Sequence, residues 1–364
     1  MGRAWRWIVV AVGVAVLIAI PAVVGAVPVS VAAPPSSALL QRVVNSTAVP
    51  YQGYALSEAN LGLPDIAEAG DATDLLNNTS RLRAWVDGTD RWRVDQESTV
   101  GEKDTYADPS GVWMWDSGHH KTTRVEGQPG ARLVRPTDLL PPELGRLLAA
   151  AATSDEVRAE SPKRVANVAA AGLRITPHSA ATTIAAVDLW VDPRSGLPLE
   201  VAVYAKGTSR PVLRSRFLDV SQSRPSSSLV TFRPPSGAIQ YNDWDDVDVA
   251  ARIDQRSPIL LPNVLGSLAR RTPYPAAVAT YGSGFSVVAA VGIPGRAGNQ
   301  FDRQLARLPT IDTPVGLGRL VPTPLLNGVV VSNGGALYAI IGAVPPAQLA
   351  SLAGNLPYLR RAPL

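Results

Sequence analysis

Apolar and polar residues alternate strictly over residues 81–86, with Leu82, Ala84 and Val86 on one face and Arg81 and Arg83 on the other. The turn Asp87-Gly88-Thr89-Asp90 follows, and the alternation resumes with Trp92 and Val94 opposed to Arg91, Arg93 and Asp95. A period of two bounded by Asp-Gly predicts half-buried antiparallel strands joined by hairpins. Residues 101–107, 112–116 and 121–126 are the next predicted strands, separated by Asp-Pro-Ser-Gly and Ser-Gly. Such a meander has one dry face and one wet face.

The rest of the chain is predicted around this meander. Residues 36–47 form a helix with Leu39, Leu40, Val43 and Val44 on one side, and residues 51–60 a first strand. Residues 63–76 are a looser insertion with a short helix. In residues 136–152 the leucines fall at helical spacing, and Pro141-Pro142 suits a first helical turn. Strand patterns return at 165–176, 182–192, 199–205, 211–221 and 229–232. Residues 234–259 carry turn residues, an acidic run and no clear period, which places a domain boundary near 251–257. Beyond it a smaller unit is predicted: a helix at 261–271, strands at 276–281 and 285–293, a helix at 300–308, strands at 329–332 and 336–341, and a closing helix at 345–355.

Length and composition narrow the class. A chain of 364 residues with 46% hydrophobic residues holds two domains and a sizeable core. The net charge of +4 is spread as single arginines along strands, without a basic run, so nucleic acid is not an expected partner. The absence of cysteine excludes disulfides, thiol catalysis and cysteine metal sites. For an exported chain it also suits a bacterial envelope, where the Asn45-Ser-Thr and Asn78-Thr-Ser triplets are accidental sequons.

Export is indicated by the N-terminus. Arg3 and Arg6 precede an uncharged run over residues 7–37, whose apolar core at 8–27 matches the ~20 residues of a membrane span. Positive charge before the run sets the N-terminus in the cytoplasm and the remainder outside. The expectation is an uncleaved single-pass anchor in the cell membrane over residues 1–35. A cleaved signal ending near Val31-Ala32-Ala33 is the alternative.

Candidate chemistry is sparse. His119-His120 beside Asp116 lacks a third ligand for a metal site, and His178 lies in a turn. The acidic run from Asn242 to Asp248 lacks the glycine and glutamate of a calcium loop. Glu143, Asp155 and Glu156 are not spaced across a cleft. Gly282-Ser283-Gly284 is a hairpin turn, not a nucleophile elbow. No cofactor, metal or catalytic residue is expected, and the chain is read as a non-enzyme.

The tryptophans give a sharper signal, with two readings. One is core packing. The other is an apolar cavity on the dry face lined by Leu82, Trp92, Val94, Trp113, Trp115, Leu189 and Val201, as in the mouth of a β-barrel. The outward arginines at 81, 83, 91 and 93 are either a solvated face or a surface for anionic head groups or an acidic partner.

Two stretches carry a family resemblance. VDLWVDPRSGLPLEVAVYAKG, followed by VLRSRFLDV and TFRPPSGA, resembles the first domain of the MucB/RseB sigma-factor regulators, which share the fold of the LolA/LolB/LppX lipoprotein carriers. VATYGSGFSVVAAVGIP with NGVVVSNGGALYAIIGAVPPAQLASLAGNLP resembles their smaller C-terminal domain. The resemblance implies an α+β chain: an N-terminal membrane helix at 1–35, a LolA-like half-open antiparallel β-barrel with plugging helices at 36–250, and a small α+β domain at 251–364. It further implies an envelope sensor that binds a lipid or lipoprotein acyl chain at the membrane and contacts a partner, typically the extracytoplasmic domain of an anti-sigma factor. A lone lipid or lipoprotein carrier and a structural protein with a filled barrel are the competing readings. The anchor departs from the best-known members and argues against a diffusing carrier.

Overall fold

The computed structural model describes residues 29–64, 70–98, 101–109, 111–125, 133–241, 257, 259–271, 277–294 and 305–358. The apolar run at 8–27 and residues 242–256, which hold most of the expected boundary, lie outside them. Among the described residues no helix is long and apolar enough to cross a membrane.

The alternation dictates a large antiparallel sheet. Its strands are β1 (Tyr51–Ala59), β2 (Thr79–Val86), β3 (Trp92–Ser98), β4 (Gly101–Asp108), β5 (Gly111–Asp116), β6 (Lys121–Val125), β7 (Val157–Val165), β8 (Val168–Ile175), β9 (Ile184–Val191), β10 (Pro198–Ala205), β11 (Leu213–Ser221) and β12 (Ile239–Tyr241). The order is β12-β6-β5-β4-β3-β2-β1-β11-β10-β9-β8-β7. Every pairing is antiparallel except that of β12, which lies parallel to β6. Two meanders therefore meet at one seam, where β1 pairs with β11.

The dry face buries Leu82, Ala84, Val94, Leu173, Leu189 and Val201 in one continuous core. Two helices fill that core: α1 (Ser36–Val44), through Leu39, Leu40 and Val43, and α3 (Pro141–Ala151), through Leu144 and Ala149. Between them in sequence lies α2 (Gly70–Asn77), which buries Ala72, Thr73 and Leu75. α3 rests on β10 at Gly145, where a Cβ would meet the Pro198 ring at 2.7 Å.

A second sheet follows the minimal hairpin β13 (Val264–Leu265) and β14 (Leu268–Ala269). Its strands are β15 (Val278–Tyr281), β16 (Val288–Pro294), β17 (Thr310–Thr313), β18 (Gly316–Val321), β19 (Asn327–Asn333) and β20 (Ala336–Gly342), in the order β15-β16-β20-β19-β18-β17. α4 (Pro346–Leu352) packs Leu349 and Leu352 onto a core with Val329, Tyr338 and Ile340. Thr182 ties the two sheets: its Oγ1 donates to the carbonyls of Phe285 (2.9 Å) and Ala343 (3.0 Å).

Five expectations are corrected. Residues 261–271 are not a helix: the leucines at 261, 265 and 268 imitate helical spacing, but Gly266 sits at φ +63° in the turn between β13 and β14. Residues 229–232 are not a strand; Val230 is buried, and Phe232 packs on an aromatic pair. β7 escapes notice because its sequence VRAESPKRV is polar on most positions. β17 and β18 escape because glycine and proline surround them. The described part of the predicted helix at 300–308 is one 3-10 turn at Leu305–Arg307.

Gly145→Leu tests the closure of α3 on β10. The side chain has no room against Pro198, and overpacking of a filled core costs about 1–3 kcal/mol. The expected result is a lower denaturant midpoint with an unchanged slope.

Candidate ligand-binding groove

Only part of the dry face is filled by α1 and α3. Toward β4–β6 it is covered by α2 and the segment 133–136, and between them runs a groove of about 440 Å3. Register places its floor. Val94 pairs with Thr105, Thr105 with Met114, and Met114 with Thr123, so these four share one face. Gln96 and Lys103 lie on the same face. Apolar walls come from Ala72, Leu75, Leu133 and Val134, with the buried Arg135 beside them; the rim carries Asp116, Lys121 and the exposed pair of Lys103 Nζ with Asp71 at 2.9 Å. Apolar surface with a few convergent polar groups suits an amphipathic ligand.

The seven residues expected to line one cavity do not come together. Leu82, Val94, Leu189 and Val201 are fully buried in the filled core. Trp92 is half-buried between that core and the small cluster of Ala107, Val112 and Met114. Trp113 pairs with Tyr106 and Trp115 with Asp104, which sets both on the outer face, although Trp115 also borders the groove. The sequence did hold the signal for Thr105, Met114 and Thr123, because they alternate with outward residues in the register that places Val94 inside. Aromatic size drew attention away from them.

The outer face is held by cations on rings. Arg93 was expected in solvent with Arg81, Arg83 and Arg91; those three are exposed, but Arg93 is not. Its guanidinium lies over Trp85 at 5.0 Å and Tyr106 at 4.9 Å. Its Nε donates to Asp95 Oδ1 at 2.5 Å and its Nη2 to Asp104 Oδ2 at 3.1 Å. Arg124 lies over Trp113 at 4.9 Å, and Trp113 stacks on Phe232 at 5.2 Å. Lys163 lies over Trp190 and bridges Glu200 at 2.8 Å. Burial pushes the Asp95 carboxyl up to about 7; Arg93 opposes this and the charge of Asp104 adds to it. Burial likewise pushes Asp104 up to about 6 against the pull of Arg93.

The histidines occupy exposed positions. His119 Nδ1 lies 3.0 Å from Asp116 Oδ2, and His120 packs edge-on against Trp115. His178 Nδ1 is 3.4 Å from Asp155. Glu143 is paired with Arg146 on α3.

No family model matches the chain, and no curated protein matches it in sequence. Solved structures do match. MucB of Pseudomonas aeruginosa, in complex with MucA, aligns with a TM-score of 0.50 at 16% identity over 89% of this chain and 99% of that one. The fold is that of MucB. A further structure, MucB in complex with MucA(peri), gives 0.48 at 17% identity over 90% and 100% of the two chains. A LolA superfamily protein from Nitrosomonas europaea gives 0.25 at 13% identity over 55% and 99%. The MucB likeness extends over both sheets, in the order large then small.

Trp113→Ala separates the two faces. Trp113 is half-buried outside, so its loss removes the Phe232 stack and costs less than the ~3–5 kcal/mol of a core aromatic. Chemical denaturation should find a folded, modestly weakened protein. A loss as large as that of a core aromatic would place Trp113 in the core.

Proposed function

We propose that this chain is a membrane-anchored extracytoplasmic regulator, not an enzyme. In this reading it holds a lipid or lipoprotein acyl group in the groove and acts on an anti-sigma-factor-type partner. The observation that carries it is the MucB fold over 89% of the chain. MucB is solved in complex with MucA, and a partner of that kind is the corresponding expectation for this chain.

The groove supports the ligand half of the reading. Its volume falls in the ~300–1,000 Å3 range of small-molecule sites. Leu75, Met114, Leu133 and Val134 offer surface to an acyl chain, while Lys121 at the rim and the buried Arg135 offer positive charge to an acidic head group. Arg3 and Arg6 before the apolar run at 8–27 support an anchor with the cytoplasmic side at residue 1. A first domain at 36–250 and a second at 251–364 complete the reading.

Native mass spectrometry of the detergent-extracted full chain tests the ligand. The expected result is co-purified lipid, lost in Met114→Trp, which fills the groove from its floor and leaves the melting temperature near that of the parent. Lipid retained by a folded Met114→Trp protein would remove the groove from the proposal. Protease added to intact spheroplasts tests the topology. Digestion from about residue 36 onward is expected from the ~20-residue span, and full protection of the C-terminal sheet would overturn it.

A further inference from the structure

The hairpin of β3 and β4 sets two carboxylates directly across from each other. Asp95 and Asp104 are register partners, share the outer face and are buried, at 1% and 7% exposure. Glu102 lies beside them: each of the three offers an oxygen within 4.8 Å of the others. Arg93 brings one positive charge, through Nε to Asp95 and Nη2 to Asp104. Three carboxylates against one guanidinium leave a charge excess in a site screened from water, which is costly. Among the described residues, Asp104 Oδ1 is also buried without a hydrogen-bond donor. A single proton between the two aspartates removes one charge and supplies that donor.

Among the described residues, the surrounding groups do not supply it. On β3, Glu97 is occupied by Arg83 of β2 at 3.3 Å and by the Tyr54 hydroxyl of β1 at 2.8 Å. On β4, Tyr106 lies under Arg93. Trp115 of β5 stands opposite Asp104, with the His120 ring of the following turn at its edge. On β6, Arg124 is spent over Trp113. The segment between β11 and β12 contributes Phe232, which packs on Tyr106 at 5.1 Å.

We propose that Asp95 and Asp104 share one proton, and that losing it loosens the seating of the Phe232 segment, which joins β11 to the edge strand β12 of the large sheet. The contacts that transmit the change are continuous: the aspartate pair holds Arg93, Arg93 lies on Tyr106, Tyr106 meets Phe232, and Phe232 stacks on Trp113. With both carboxylates ionised the cross-strand pair repels, and the platform beneath Phe232 gives way.

The sign follows from burial. Both carboxyls lie above their ordinary 3.8 in the folded chain, at about 7 and about 6. The stability they lend is full below the ordinary value and is lost as pH rises through the raised ones. Opening the segment releases one proton, so its opening equilibrium rises about tenfold per pH unit through that window. The inference rests on the hairpin geometry and stands apart from the ligand and partner proposed above.

Two measurements on the full chain decide it. Carboxyl 13C shifts of aspartate-labelled protein should show one of the pair titrating near neutral pH. Hydrogen exchange of the peptide containing Phe232, corrected for intrinsic rates, should accelerate over the same window. Asp104→Asn, which carries its own donor, should keep exchange slow throughout. Both carboxyls titrating near ~4, or exchange at Phe232 indifferent to pH in the parent, would overturn the proposal even if the variant failed to fold.

Discussion

The structure depends on the seam between β1 and β11. Gln52 pairs with Ser221 and Ala59 with Leu213, so strands far apart in sequence close the large sheet. All of β2–β6 attach to the rest through β1, and β7–β10 through β11. The seam is anchored where Tyr51, fully buried, meets Phe217 edge-on at 5.7 Å. Ser215 adds a donor to the Leu139 carbonyl just before α3, so the helix that fills the core is tied to the same seam. Closing so long a loop is entropically costly before its contacts form. That cost is offset by a core in which α1, α3 and both meanders share one apolar cluster.

With the core side filled, the outer side obeys a different rule. Its large side chains are stabilised by cations stacked on rings and by carboxylates beneath those cations. Arg93 serves Trp85, Tyr106, Asp95 and Asp104. Lys163 serves Trp190 and Glu200, and Arg174 reaches Tyr204 and Asp188. A cation over an aromatic face contributes ~0.5–1 kcal/mol when exposed and about 2 or more when desolvated. The carboxylates end up as buried as core residues, with Glu200 and Asp188 each at 3% exposure. An outer face built this way tolerates tryptophan without a ligand and without a second apolar layer.

This explains what the sequence could and could not disclose. Period-two alternation located β2 through β6 to within a few residues and assigned Leu82, Ala84 and Val86 inward, because small and aliphatic residues have nowhere else to go. It misplaced Trp113 and Trp115, because ring size suggests a dry face only if the opposite face is wet. Phe232 and the arginines make the outer face only partly wet, and their arrival from distant or neighbouring strands is not a local signal. β7 failed for a related reason: an edge strand with a polar outer face loses the alternation that would reveal it. The groove has no local signature, since its walls come from residues 70–75 and 133–136 and its floor from the meander.

The groove lies where it does because the filling helices are short. α1 spans nine residues and α3 eleven, about 14 and 17 Å at ~1.5 Å per residue. Six strands at ~4.8 Å spacing already extend some 24 Å from β1 to β6. α3 is placed against β10 by Gly145 and Pro198 and by α1, on the β11 side of the seam. Neither helix extends over β4–β6, where, among the described residues, the eight residues of α2 and the segment 133–136 stand above the sheet. Residue choice follows the same geometry. Beneath the helices the inward positions are Leu82, Val94, Leu189 and Val201; beyond them they become Thr105, Met114 and Thr123. The half-polar floor thus begins where the apolar cover ends, which is where the proposed amphipathic ligand is placed.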